Sequence, residues 1–296
     1  MIFYFVLYLT MIYLQAAQTP DIDPNTQMVF QIIIVTAVSL FVLSRILIYV
    51  EQLYAFRHRR PIYLNLQLYK KKIPKTQVSI LRREFSFYNN LNLEDKEIFH
   101  HRLITFMDSK TFIGREGLEV TEEMKTLISA TAVMLTFGFR NYKIELIDKI
   151  IIYPEAYYSR LNDAYHKGET NPQLKALVFS WEDFLKGYHV GDDNLNLGIH
   201  EFGHAIHLNA FSNDDISSEI FKRGFNEIIS YLEQNQNVRQ DLISSKYFRA
   251  YAYTNHYEFF AVLLENFIET PTEFKSRFPE LYNYVQQMLN FKIAGY

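Results

Sequence analysis

The chain has 296 residues, 49% of them hydrophobic and 16% aromatic, which is apolar content enough for a large packed domain and excludes a disordered chain. With 30 basic and 33 acidic side chains, the net charge of −3 leaves no overall basic footprint for nucleic acid. Cysteine is absent, which removes disulfide staples, thiol nucleophiles and thiolate-bound metals, and suits a reducing compartment.

Two apolar runs come first. Residues 1–17, MIFYFVLYLTMIYLQAA, lack a basic segment at their start and end in a poor small-x-small site, so they read as a first span (residues 2–17) rather than a cleaved signal. Residues 28–50 form a second run of 23, interrupted only by Arg45. As a helix they cover roughly 30 Å of hydrocarbon, with Arg45 reaching back to the interface. The connector at 18–27 carries only Asp21 and Asp23 as charges, whereas Arg57 to Arg83 holds nine Lys or Arg and no acid. The positive-inside rule therefore puts everything beyond Arg57 in the cytoplasm, with the two spans as a hairpin. On this reading residues 1–56 are a membrane anchor and 57–83 a basic juxtamembrane linker facing anionic headgroups, with no nucleic acid as partner. Residues 84–296 form one folded domain.

In that domain NLEDKEIFHHRLITFMDSK reads as a helix, with Phe99, Leu103 and Phe106 at helical spacing and His100 and His101 at the surface. EVTEEMKTLISATAVMLTFGF reads as a second helix, with Thr121 as N-cap, acids in its first turn and Gly138 near its stop. KIIIYP and ALVFSW are β-rich and read as short strands. In GDDNLNL, Asp193 or Asn194 supplies the N-cap of the next helix, and beyond Asp241 the chain is mainly helical. The class is α+β, helices around a small mixed sheet.

The next helix carries LNLGIHEFGHAIHLNAF, residues 195–211. Burying His200, Glu201, His204 and His207 on one helix costs free energy unless a metal or opposite charges satisfy them. The spacing of HEFGH sets His200 and His204 one above the other on one face, where two imidazoles can grip one Zn²⁺. Glu201, on the edge of that face, can accept a proton from a zinc-activated water. Gly203 leaves room for close approach of a neighbour. A structural zinc is disfavoured because such sites are usually closed by cysteine. A catalytic zinc needs a third protein ligand. His207 lies about 10 Å along the axis from His200, too far to close a tetrahedron from one straight helix, and reads as a residue near or lining the cleft. A glutamate on a later helix is the alternative, and YAYTNHYEFFAVLLENF offers several positions.

HEFGHAIH followed by YAYTNHYEFFAVLLENF and RFPELY resembles the Mlc titration factor A family of zinc peptidases, and the same segment is similar to the catalytic domain of anthrax lethal factor. The resemblance implies a zincin-like metallopeptidase domain holding one zinc through His200, His204 and Glu258. It implies Glu201 as general base and Tyr251 as oxyanion donor, with Tyr253 as competitor for that role. It further implies that Glu265 stands behind the ligands or serves structure, while Asn255 orients the turn ahead of Glu258. Lethal factor carries an acid four residues after its glutamate ligand, where this chain has Val262. Soluble family members carry an upstream histidine able to occupy zinc in a resting form, for which His166 is the nearby candidate, poorly matched in offset. The expected function is a membrane-anchored peptidase facing the cytoplasm and acting on peptides or proteins, with ALVFSW as the strand whose edge receives substrate. The alternative is a binding protein that sequesters a transcriptional repressor or other regulatory partner, with vestigial peptidase activity.

Overall fold

A computed structural model describes Tyr8, Met11 and residues 23–65, 67, 69–159, 163–189 and 194–296. Residues 1–58 and 59–296 are two compact units. In the first, one helix, α1 (Pro24–His58), runs for 35 residues and contains the whole second apolar run. Its apolar window has a mean hydropathy of 2.4 and none of it is buried, so by length and composition it can cross a membrane. Apart from Tyr8 and Met11, the first expected span lies outside the described residues.

The second unit begins with helices α2 (Lys75–Glu84), α3 (Ser86–Asn90) and α4 (Leu93–Asp108). The segment read as a linker thus holds part of a helix, and Leu81 in it has no exposure. Four of its nine basic side chains pair with acids of the second unit: Lys70 with Glu97 at 2.8 Å, Lys71 with Asp108 at 2.7 Å, Arg59 with Glu227 and Arg83 with Glu123. Asn92 caps α4 by accepting from Asp95 N–H, and Phe99, Leu103 and Phe106 are fully buried as their spacing required. His100 and His101 are half-buried rather than at the surface; His100 Nε2 shares a 2.8 Å hydrogen bond with the Tyr88 hydroxyl, and His101 Nδ1 accepts from Lys71 N–H. Arg102, on the same helix, has no exposure and donates to the carbonyls of Thr136, Phe137 and Phe139 at 3.1, 2.9 and 2.8 Å. Those carbonyls belong to the turn that follows α5 (Glu122–Leu135), so the buried guanidinium fixes the chain just beyond that helix. Thr121 caps the other end of α5, as expected, by accepting from Met124 N–H.

The main sheet is built from β1 (Thr111–Gly114), β2 (Lys149–Tyr153), β5 (Gly168–Asn171) and β6 (Ala176–Ser180), in the order β1-β2-β6-β5. The β1–β2 and β2–β6 pairs are parallel and β5–β6 is antiparallel, with Gly168 opposite Phe179 and Thr170 opposite Leu177. A separate antiparallel pair joins β3 (Tyr157–Ser159) to β4 (Ala164–His166). The two apolar strands expected from the sequence are β2 and β6. Yet β6 is paired on both sides, so ALVFSW offers no free edge; the outer strands are β1 and, next to β6, β5, whose GETN sequence has little strand propensity. Helices α6 (Trp181–His189), α7 (Leu197–Ser212), α8 (Ile216–Gln234) and α9 (Gln236–Ser244) follow. A 3₁₀ turn (Ala250–Tyr253) leads into α10 (His256–Glu269), α11 (Pro271–Arg277) and α12 (Pro279–Met288). Helix α7 packs against β5 and β6 of the sheet and against α10.

Candidate functional site

Helix α7 starts at Asn196, whose side-chain oxygen accepts from Ile199 N–H at 3.0 Å. The cap is therefore two residues later than Asn194, which has a left-handed backbone (φ 54°); Asp193 lies outside the described residues. Four residues into the helix, His200 and His204 project from one face toward α10. Gly203 faces α10 closely: a Cβ there would stand 3.2 Å from Leu264 Cδ1, tight by a few tenths of an ångström, and in ordinary contact with Ala261 Cα at 3.5 Å. Helix α10 is capped by Asn255, which accepts from the N–H groups of Tyr257 and Glu258 at 2.9 Å each. That cap sets Glu258 in the first turn, where a carboxylate is favoured by the helix dipole.

Three donor atoms meet there. His200 Nε2 and His204 Nε2 are 3.1 Å apart, and Glu258 Oε2 lies 3.2 and 3.4 Å from them. Among the described residues this is the group whose ligand atoms lie mutually close enough to hold a metal ion. A tetrahedral zinc with bonds of about 2.0–2.1 Å separates its ligands by roughly 3.3 Å, so the triangle has zinc's dimensions. Glu258 Oε2 is buried without a hydrogen-bond partner, which a cation would supply. On the far side of the ring, His200 Nδ1 is 2.6 Å from Glu265 Oε1, and Glu265 has no exposure. Burial raises the Glu265 carboxyl, and Arg249 Nη2 also lies 3.0 Å from His200 Nδ1. With Glu265 ionised its oxygen can only accept, which puts the ring proton on Nδ1 and leaves the Nε2 lone pair toward the triangle. Arg249 Nη2 also donates to Glu265 Oε1 at 2.6 Å, balancing that buried charge.

The electrostatics follow from this packing. Burial by itself would lower His200, but Glu258 and Glu265 outweigh it and raise the imidazole to about 9. Burial opposes ionisation of Glu258, yet His200 and His204 hold its carboxyl well below the usual range. His204 is lowered by burial, and its ring stacks on Tyr257 at 3.8 Å. Glu201 is 7% exposed, and burial pushes its carboxyl up to about 7 against the pull of His200 and a hydrogen bond from Thr170. A carboxylate near neutrality is suited to taking up and returning a proton.

The other sequence candidates separate cleanly. Tyr251 stands beside the triangle, its ring 6.2 Å from His200; partial burial, then the nearby Glu258, pushes its phenol up to about 12, so it keeps its proton. Tyr253 points elsewhere and donates to Leu242 O at 2.7 Å. His207 sits among Phe211, Phe225 and Tyr257, away from the three donors, and burial lowers it to about 4. His166 lines the cleft but does not join the three donors. Val262 is buried. The cleft, about 570 Å³, is lined by Tyr165, Gly168, Leu197, His200, Glu201 and Tyr251, among others. Thr170 and Arg249 escaped the sequence reading. A lone threonine in GETN and a lone arginine ahead of AYAY carry no local signal, and only the partners across the fold single them out.

Over 243 residues the chain is 24% identical to an uncharacterised protein of Synechocystis sp., covering 75% of this chain and 86% of that one. Residues 55–290 match the model of the glucose-regulated metallo-peptidase M90 family, the family to which HEFGHAIH and YAYTNHYEFF had pointed. The chain belongs to that metallopeptidase family.

Proposed function

We propose that the protein is a membrane-anchored zinc peptidase that hydrolyses peptide bonds at the cytoplasmic face of the membrane. The observation that carries the reading is the convergence of His200, His204 and Glu258 donor atoms at 3.1–3.4 Å beside the buried carboxylate of Glu201. In this reading His200, His204 and Glu258 hold one Zn²⁺, which supplies a Lewis acid and makes water nucleophilic at neutral pH. Glu201 takes the proton from the attacking water and returns it to the leaving amine. Tyr251, protonated at neutral pH, donates to the oxygen that gains charge as the carbonyl is attacked. Glu265 fixes the His200 ring through Nδ1–H, and Arg249 keeps that carboxylate compensated.

The helix bearing HEFGH lies beside a mixed sheet with an antiparallel outer strand, which supports a zincin-like domain. An extended substrate would then pair along β5, whose Gly168 borders the cleft. Membrane attachment rests on the exposed, apolar α1, and the cytoplasmic side on the nine basic residues from Arg57 to Arg83. No observation favours a purely sequestering role.

The test is peptide hydrolysis by the full-length chain across a peptide library, before and after chelation and with zinc restored. Loss on chelation, recovery with one equivalent of zinc and inactivity of Glu201→Gln are expected. A chain that still performs its cellular role as Glu201→Gln would instead be a binding protein.

A further inference from the structure

The outer strand β5 does more than border the cleft. Residues 168 and 170 share a face of this strand, and both meet Glu201. Thr170 Oγ1 lies 2.9 Å from Glu201 Oε2 and 3.0 Å from the Glu201 backbone oxygen. At Gly168 a Cβ would stand 2.8 Å from Glu201 Cγ and 2.9 Å from Oε1, closer than real Cβ atoms approach. The stem of the glutamate therefore lies directly on the strand backbone, one carboxylate oxygen over Gly168 and the other held by Thr170. The strand is itself fixed by pairing with β6 on its inner side.

We propose that β5 is the seat of the general base, with Thr170 as its positioning residue and Gly168 as its floor. The inference rests on the reading of Glu201 as that base. A glutamate has three rotatable bonds, and a misplacement of about 1 Å in a reacting group costs on the order of a hundredfold in rate. The Thr170 hydroxyl donates to Oε2, so it holds one end of the carboxylate against the strand. Because substrate would pair on the same strand, β5 also places the base relative to the scissile bond.

Thr170→Val keeps the shape and removes the hydroxyl; Thr170→Ala is the second variant should valine misfold. In the full-length chain the expected result is normal zinc content, unchanged KM and a kcat reduced about tenfold or more, with Thr170→Ser restoring most of it. A second readout needs neither metal nor turnover. In the metal-free protein, the melting-temperature losses of Thr170→Val and Glu201→Ala should be non-additive, the double variant losing less than their sum. Wild-type kcat in Thr170→Val, or an additive cycle, overturns the seat. If Glu201→Gln is inactive while Thr170→Val is normal, the seat alone falls; if Glu201→Gln is fully active, the reading of Glu201 falls and the seat with it.

Discussion

Replacing Glu258 by alanine removes one corner of the donor triangle, the oxygen 3.2 and 3.4 Å from the two imidazole nitrogens, and leaves the caps of both helices untouched. Four-ligand structural zinc sites bind with roughly 10–16 kcal/mol, so one ligand contributes on the order of 3 kcal/mol, or about a hundredfold in affinity. The neighbouring contacts make a substitute ligand hard to find: Glu265 is committed to His200 and Arg249, and Glu201 is tied to Thr170. We therefore expect Glu258→Ala to bind zinc about a hundredfold more weakly in competition with a chromogenic chelator, and to lose peptidase activity in parallel. Glu265→Gln, which keeps the triangle and weakens only its support, should cost about 10–100-fold. Unchanged zinc affinity in Glu258→Ala, together with its collapse in His207→Ala, would refute the geometry and move the third ligand to His207.

Tyr251→Phe should retain zinc and lower kcat more than it raises KM, whereas Tyr253→Phe should leave turnover intact and cost about 0.5–1.5 kcal/mol of stability from the lost bond to Leu242; a silent Tyr251→Phe with a crippled Tyr253→Phe would reverse the assignment. Arg102→Met removes the buried donors to the carbonyls of Thr136, Phe137 and Phe139 and should destabilise by on the order of 2–4 kcal/mol, read as a lower denaturant midpoint at constant slope; a shift below about 1 kcal/mol would contradict it. Burial lowers Lys110 to about 8 from 10.5, against Asp148 and Glu145, so between those pH values the unfolded chain binds the extra proton and this residue's contribution to stability rises with pH. The stability difference between wild type and Lys110→Met should accordingly grow in favour of wild type from pH 8 to 10 and be flat below 7; a flat difference throughout would remove the effect. A reporter fused after Arg60 should read as cytoplasmic, and one fused within residues 18–27 as external; an external signal after Arg60 would overturn the charge argument.

Local physics made much of this protein legible before any fold was known. A period of 3.6 places His200 and His204 on one face whatever surrounds them, and the cap at Thr121 follows from a side chain that reaches only three residues along the chain. The 23-residue apolar run is equally self-sufficient, because length and composition alone make its helix. The link from His200 to Glu258 crosses 58 positions, and spacing could not supply it; family resemblance did. Tyrosines two apart on a 3₁₀ turn project in different directions, so which of Tyr251 and Tyr253 faces the site depends on how that turn packs against α10. Strand order was also beyond the sequence: an apolar run such as ALVFSW signals burial, and burial on both edges disqualified β6 and left the weakly strand-forming GETN at the edge beside it. Arg249 against Glu265, and Thr170 against Glu201, arise only because α10 and β5 both pack against α7. A polar side chain's partner is chosen by distance in space, and nothing in the residue itself records it.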